Sequence, residues 1–397
     1  MSRFEFIALM AMMFATIAFS IDALLPALDR LETELTPENP ARAPHILLAF
    51  LIGLGIGTFF SGPLSDAFGR RTIVFWGAGL YITAAVVAWF SQSIEPILVA
   101  RVVQGIGASG PRVVCIAIIR DLFAGRQMAR ILSIVLIIFT FVPAIAPAIG
   151  ALIMHFAGWR SIFLAFVLFA LISALWLFFR LPETLPPAHR RPMQMTLMLD
   201  TVKQMFDHPV IRLSIMVQTL SMAMLFSLLM LIQPVYHHVF DRLETFPYWF
   251  GGIAVSSALS SFLNAMLVMR FGMRRLVTAA LLMQMVFSGG VLLVADYITI
   301  ESFGFFAVWQ AFVFFQAGLT VGNLNAIAME PMSHTAGMAA SVIGAVSTVA
   351  GAVIALPVSL LFDGTIKPLV GTIFLLACTA FVLMVRMGRV EARLPAE

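Results

Sequence analysis

Three side chains stand where ordinary packing would not put them. Asp22 lies sixteen residues beyond Phe6 in the apolar run Phe6 to Leu28. At ~1.5 Å rise per residue against ~30 Å of hydrocarbon, that places a carboxylate well past the midplane of a spanning helix. Such a group is too costly to face lipid; it belongs in a protein interior or a wet cavity, where it can bind and release protons or meet a cation. Arg101 and Arg112 lie in another apolar run and recur with Gln104, Ala108 and Cys115 at helical spacing, so both arginines share one face about three turns apart. That run starts on the outer side of the membrane, which sets Arg101 near the depth of Asp22, and the two are expected to pair. Arg112, beside Pro111, lies deeper, with no acid at its level in the first half. It is expected to face inward and either attract an anionic or polar substrate group or hold helices together. An enzyme would need a nucleophile, base or metal-ligand cluster around these groups, and none is present.

The elements that position them must be membrane helices. Of the 397 residues 61% are hydrophobic and 11% charged, with a mean hydropathy of +1.00, against about 25% charged in soluble proteins. The first run is too long, too poorly preceded by positive charge and too lacking in a small-residue cleavage site to be a removable signal. Cys115 and Cys378 both fall in apolar runs, so neither a disulfide framework nor a metal cluster is expected. The pI near 9.5 does not indicate a nucleic-acid partner, because the basic residues are spread between apolar runs.

Twelve runs are long enough to span: 6–28, 45–66, 72–91, 96–119, 131–156, 161–180, 209–236, 247–269, 276–295, 302–328, 336–362 and 369–386. Most of the 24 Lys and Arg fall on one side of this arrangement. Arg30, Arg42, Arg160, Arg242 and Lys367 fall on the other, and Arg101 and Arg112 lie within a span. The positive-inside rule then puts both termini in the cytoplasm. The polar stretch Leu181 to His208, with Pro182, Pro186, Pro187 and Pro192, divides six runs from six and reads as a linker. The domains expected are 1–181, a linker 182–208, and 209–397. Phe68-Gly69-Arg70-Arg71 recurs as Phe271-Gly272-Met273-Arg274-Arg275, and Ala146-Pro147 as Leu356-Pro357, at an offset of a little over two hundred residues. That is the mark of a duplicated six-helix unit.

Gly62-Pro63-Leu64-Ser65-Asp66-Ala67-Phe68-Gly69-Arg70-Arg71 joins the second and third runs. Gly62 permits close helix approach, Gly69 a tight turn, and the arginines hold the loop at the surface. Asp66 can meet a helix N-terminus and an arginine of a neighbouring span, Arg120 being the candidate, as a breakable cytoplasmic latch. This stretch resembles the G-x-L-x-D-x-x-G-R-[KR] loop of the major facilitator superfamily. Arg101-Val102-Val103-Gln104-Gly105-Ile106-Gly107 resembles the R-x-x-Q-G-x-G motif of the superfamily's drug:proton antiporters. Pro143 with Ala146-Pro147-Ala148-Ile149-Gly150 resembles their fifth-span G-P-x-x-G-G signature, a helix-bend motif, with Ala146 where Gly is usual. Gly158-Trp159-Arg160, Leu181-Pro182-Glu183-Thr184-Leu185 and the Asp22 to Pro26 spacing add similarity to the bicyclomycin and chloramphenicol resistance (Bcr/CflA) branch.

The resemblance implies an all-α membrane protein: twelve transmembrane helices in two pseudo-symmetric six-helix bundles around a central cavity open alternately to either side. It also implies proton-driven export of small, mostly apolar drug-like or metabolite molecules from the bacterial inner membrane, with import of a metabolite by proton symport as the alternative. The sequence holds no phosphate-binding P-loop, so no cofactor is expected and the energy must come from an ion gradient or from the substrate's own gradient, a proton gradient being what the resemblance implies. The expected proton-coupling groups are Asp22 and Arg101. Substrate contacts are sought among Asp22, Gln104, Arg112, Gln218, Gln233, Gln310, Gln316 and Asn323, the amides having interhelical hydrogen bonds as their ordinary alternative. The expected partners are substrate, protons and lipid, and the chain is expected to be a monomer without metal.

Overall fold

The computed structural model describes residues 1–190 and 192–391, in which no strand occurs. Seven α-helices fill the first part of the chain: α1 (Arg3–Asp22), α2 (Leu28–Leu35), α3 (His45–Phe68), α4 (Arg70–Phe90), α5 (Ile94–Leu122), α6 (Gly125–Ala157) and α7 (Arg160–Arg180). Seven more follow: α8 (Met195–Asp207), α9 (Pro209–His238), α10 (Phe246–Phe271), α11 (Met273–Leu293), α12 (Phe303–Met329), α13 (Ala336–Ala355) and α14 (Lys367–Glu391). Eleven helical stretches among the described residues are long and apolar enough to cross a membrane. The 26-residue α10, where the eighth run is expected, supplies the twelfth.

The chain forms two compact units, Met1–Gln194 and Met195–Glu397. Their boundary falls inside the polar stretch read as a linker, which itself contains a 3₁₀ turn, Pro187–His189, and α8. Met198, Thr201 and Met205 recur at helical spacing on α8 and are buried, and this face packs on α9 and α13. The four prolines of the stretch all precede α8, which explains how a helix can follow them.

In the first unit α5 is central, packed on α1, α3 and α4, while α1 also packs on α6 and α7. Two glycines of Arg101-Val102-Val103-Gln104-Gly105-Ile106-Gly107 explain the contact. A β-carbon at Gly105 would lie 2.0 Å from the Phe50 carbonyl oxygen of α3, and one at Gly107 2.5 Å from the Gly77 carbonyl oxygen of α4. Inside a bilayer, where apolar burial gives helices little reason to associate, such backbone approach is the main source of packing energy. In the second unit α9 is buried on nearly every side and packs on α12, α13 and α14, the pattern of an apolar helix at a bundle's heart.

The turn repeated between the halves has one geometry. Gly69 has φ 100° and ψ 153°, Gly272 φ 80° and ψ 154°, and each ends one helix and starts the next. Left-handed φ is what fixes glycine there. The proline repeat diverges: Pro143 and Pro147 sit inside the continuous α6, whereas Pro357 lies in a 3₁₀ segment, Leu356–Leu361, that closes α13.

Candidate functional site

Asp22 is the last residue of α1, and the chain continues through a 3₁₀ turn, Leu25–Ala27, into α2. Leu24, Leu25, Ala27 and Leu28 are fully buried, so the apolar environment continues past the acid. Asp22 is 6% exposed, and among the described residues it is the one buried acid. None of the described residues donates a hydrogen bond to its carboxylate or forms an ion pair with it. Gly150 of the fifth-span motif explains the close wall on one side: a β-carbon there would lie 2.0 Å from the carbonyl oxygen of Ala23. The role of Gly150 in this structure is thus to let α6 reach the residue next to Asp22.

The expected pair between Asp22 and Arg101 is not formed. Arg101 is fully buried. It donates from Nε to the Ile46 carbonyl at 3.2 Å, from Nη1 to Gln104 Oε1 at 2.7 Å, and from Nη2 to the Ser20 carbonyl at 2.9 Å. Its guanidinium also lies over the Phe50 ring, 4.3 Å from the centroid. The planar fork thus ties α1, α3 and α5 together, a task that needs three separated donors. Ser20 donates to the Thr16 carbonyl at 2.5 Å, which leaves Tyr81 as the donor in the 2.5 Å hydroxyl contact between Tyr81 and Ser20. Depth alone predicts a pair; the backbone carbonyls that compete for the arginine are not visible in residue types. Arg112, midway along α5, is exposed and carries no ion pair or hydrogen bond among the described residues. An exposed guanidinium at that depth needs water around it rather than lipid.

At the turn between α3 and α4 the latch is built differently from the expectation. Asp66 accepts from Arg70 Nη1 at 2.5 Å, four residues on across the Gly69 turn, and among the described residues of its own unit it accepts from no helix N-terminus. Arg70 is 3% exposed and also donates to Asp121 at 2.9 Å and to Ser65 at 2.8 Å. Arg120 is exposed and takes no part; its neighbour Asp121 supplies the contact from α5. The helix N-terminus is met by Glu183 instead, with the backbone N–H groups of Arg70 and Arg71 at 3.0 and 3.1 Å. Arg71 turns outward, donating to the Phe178 carbonyl at 2.9 Å. Gly62 offers its carbonyl to Ser65 at 2.8 Å.

A second clamp joins α2 to the start of α7. Glu34 accepts from Trp159 Nε1 at 2.9 Å and from Arg160 at 3.0 Å, with the Arg160 guanidinium over the indole ring at 4.2 Å. This is what Gly158-Trp159-Arg160 does in the structure. Glu34 itself, an acid between two apolar runs, carries no further sequence signal. Glu95, at the start of α5, pairs with Arg42 at 3.0 Å. The cleft of about 1100 Å³ that Glu95 borders, between α4 and α5, is mostly apolar, with Thr72 and Thr83 also in its wall, and contains none of the candidate residues.

In the second unit the candidate amides are buried, and Gln310, Gln316 and Asn323 link helices. Gln310 Oε1 accepts from Tyr236 at 2.8 Å. Gln316 donates to Ser221 and Thr320 at 3.2 and 3.0 Å, and Asn323 donates to Asn264 at 2.7 Å. Gln218, Gln233, Gln310 and Gln316 each keep one amide atom without a partner among the described residues. The uncharged Gln310–Tyr236 bond joins α12 to α9, much as Arg101 joins α5 to α1.

A family model described as Major Facilitator Superfamily matches residues 6–356. The chain belongs to that superfamily and is a multi-pass membrane transporter, not an enzyme. It is 28% identical over 372 residues to a bicyclomycin resistance protein homolog of Haemophilus influenzae, covering 94% of this chain and 93% of that one. Over 170 residues it is 34% identical to the multidrug resistance protein MdtL of Escherichia coli, 42% of this chain and 43% of that one. Over 141 residues it is 36% identical to a chloramphenicol resistance protein of Pseudomonas aeruginosa, 35% of this chain and 33% of that one. Among solved structures, a D-xylose–proton symporter superposes with a TM-score of 0.76 at 16% identity, over 97% of each chain. The human organic anion transporter MFSD10 gives 0.68 at 17% identity, over 97% of this chain and all of that one. At such identities the likeness is one of fold.

Proposed function

We propose that this chain is a proton-coupled exporter of small, mostly apolar drug-like or metabolite molecules in the bacterial inner membrane, with Asp22 as the group that carries the coupling proton. The observation that carries the reading is a buried carboxylate near the end of a spanning helix with no cation among the described residues bound to it. An ionised acid without a partner is expensive there, and a group that must be loaded and unloaded with a proton needs its two states within reach of each other. The resistance-protein names of the relatives favour export over import. Proteoliposomes with an imposed pH gradient test the direction. Outward movement of substrate against inward protons is expected, and accumulation together with protons would establish the import reading instead.

Two expectations follow for residues outside the coupling site. Asp66→Asn removes the acid from the surface-exposed side of Arg70 while leaving Asp121 in place. A hydrogen bond to a charged group contributes about 1.5 kcal/mol, so transport should slow roughly tenfold, with ligand affinity within a few-fold of wild type. Transport at the wild-type rate would take Asp66 out of the mechanism. Arg112→Ala, in correctly inserted protein, should weaken binding of anionic or acceptor-rich ligands about tenfold more than that of cationic ones. Equal loss across ligand charge, measured by thermal shift over a chemically varied panel, would make Arg112 a structural residue.

A further inference from the structure

We propose that Glu183 is the positioning residue of the cytoplasmic latch, acting from beyond the end of α7 on the first turn of α4. The first N–H groups of a helix have no intrahelical acceptor. At α4 the residue that would ordinarily cap them is Gly69, whose φ of 100° and lack of a side chain leave them unsatisfied. Glu183 takes over that task from 113 residues away along the chain. Its Oε1 accepts from the backbone of Arg70 at 3.0 Å and of Leu185 at 3.0 Å, and its Oε2 from Arg71 at 3.1 Å. The glycine has a second use here. A β-carbon at position 69 would stand 2.8 Å from Glu183 Oε2 and 2.9 Å from an Arg190 guanidinium nitrogen, so a side chain there would push the incoming carboxylate off its present position.

The next residue holds the other side of the same cation. Thr184 donates to Asp121 Oδ2 at 3.1 Å, the oxygen that also accepts from Arg70 Nε. Residues 183 and 184 therefore fix Arg70 twice, through its backbone and through its acidic partner. The segment is anchored at its start by Leu181, which is 6% exposed and packs in the core cluster with Phe6, Val74 and Ile118. A negative charge at the helix N-terminus adds a favourable interaction with the helix dipole. Without it the first turn of α4 is free to fray, and the guanidinium of Arg70 loses its alignment between Asp66 and Asp121.

This inference rests on the latch reading of Asp66 and Arg70, and the test separates the two. Turnover and KM are measured in proteoliposomes for Glu183→Gln, Glu183→Ala, Asp66→Asn and the Glu183→Ala/Asp66→Asn double variant, with amide hydrogen exchange followed in the peptide holding Arg70 and Arg71. Glu183→Ala should lower turnover roughly tenfold with KM within about twofold. Glu183→Gln, which keeps one good acceptor, should fall between it and wild type and covers the case in which the alanine variant does not fold. The double variant should be no slower than the slower single one, because both changes act on one cation. Exchange at Arg70 and Arg71 should accelerate in the Glu183 variants and stay as wild type in Asp66→Asn. Unchanged exchange in Glu183→Gln and Glu183→Ala, wild-type turnover in both, or a double variant whose slowing is the product of the two singles would each overturn the proposal. Wild-type turnover in Asp66→Asn alone would remove the latch reading itself.

Discussion

Asp22→Asn is expected to abolish proton-driven uphill transport while the protein still inserts, folds and binds ligand with little pH dependence. Exchange coupled to protons requires one group to alternate between protonated and ionised states, and substrate to prefer one of them; each tenfold preference corresponds to about 1.4 kcal/mol. Asp22 is placed for this by what surrounds it. Leu24 and Leu25 are fully buried just beyond it, the α6 backbone is held close to Ala23 by Gly150, and Arg101 is occupied with carbonyl groups. With no cation attached, the carboxylate is left to choose between a proton and a ligand. The decisive measurement is proton release when ligand is added to unbuffered, detergent-purified protein. Wild type should release protons and Asp22→Asn should not. Equal release would move the coupling carboxylate elsewhere, and Glu330, exposed at the end of α12, would be the next to test.

The helices were legible because membrane spans announce themselves by length and hydropathy, and the turn at Gly69 because a left-handed φ leaves glycine as its natural residue. Asp22 was legible for the same reason in reverse: an acid in an apolar run is a departure with few explanations. What could not be read were partners. Residue types fix that Arg101 is a cation at a certain depth, but the carbonyl groups of Ile46 and Ser20 that take its donors belong to the backbone and leave no trace in sequence. The latch failed in detail for a similar cause. Asp66 and Arg120 look complementary along the chain, whereas three-dimensional proximity gives Arg70 to Asp121 and the helix terminus to Glu183. Helix α8 was hidden by the prolines before it, although Met198, Thr201 and Met205 carry its period.

The Arg101 site supplies the sharpest comparison between expectation and geometry. Arg101→Met removes the donors to Ile46, Ser20 and Gln104 together and leaves a hydrophobic side chain among their oxygens, so a large loss of thermal stability is expected. Arg101→Lys should recover little of it, because one ammonium cannot reach three acceptors spread over α1, α3 and α5. The double variant Arg101→Met/Asp22→Asn separates two accounts of the same residues. Were the two charges a buried pair, breaking it from one side would cost about 3–5 kcal/mol and neutralising both would restore much of that. In the observed arrangement the aspartate has no share in the arginine's hydrogen bonds, so Asp22→Asn should not rescue Arg101→Met, and the coupling energy from the four midpoints should stay well below that range. A rescue of several degrees in the double variant would show that the pair forms in a state the protein populates, and would restore Arg101 as the direct counter-charge of the coupling acid.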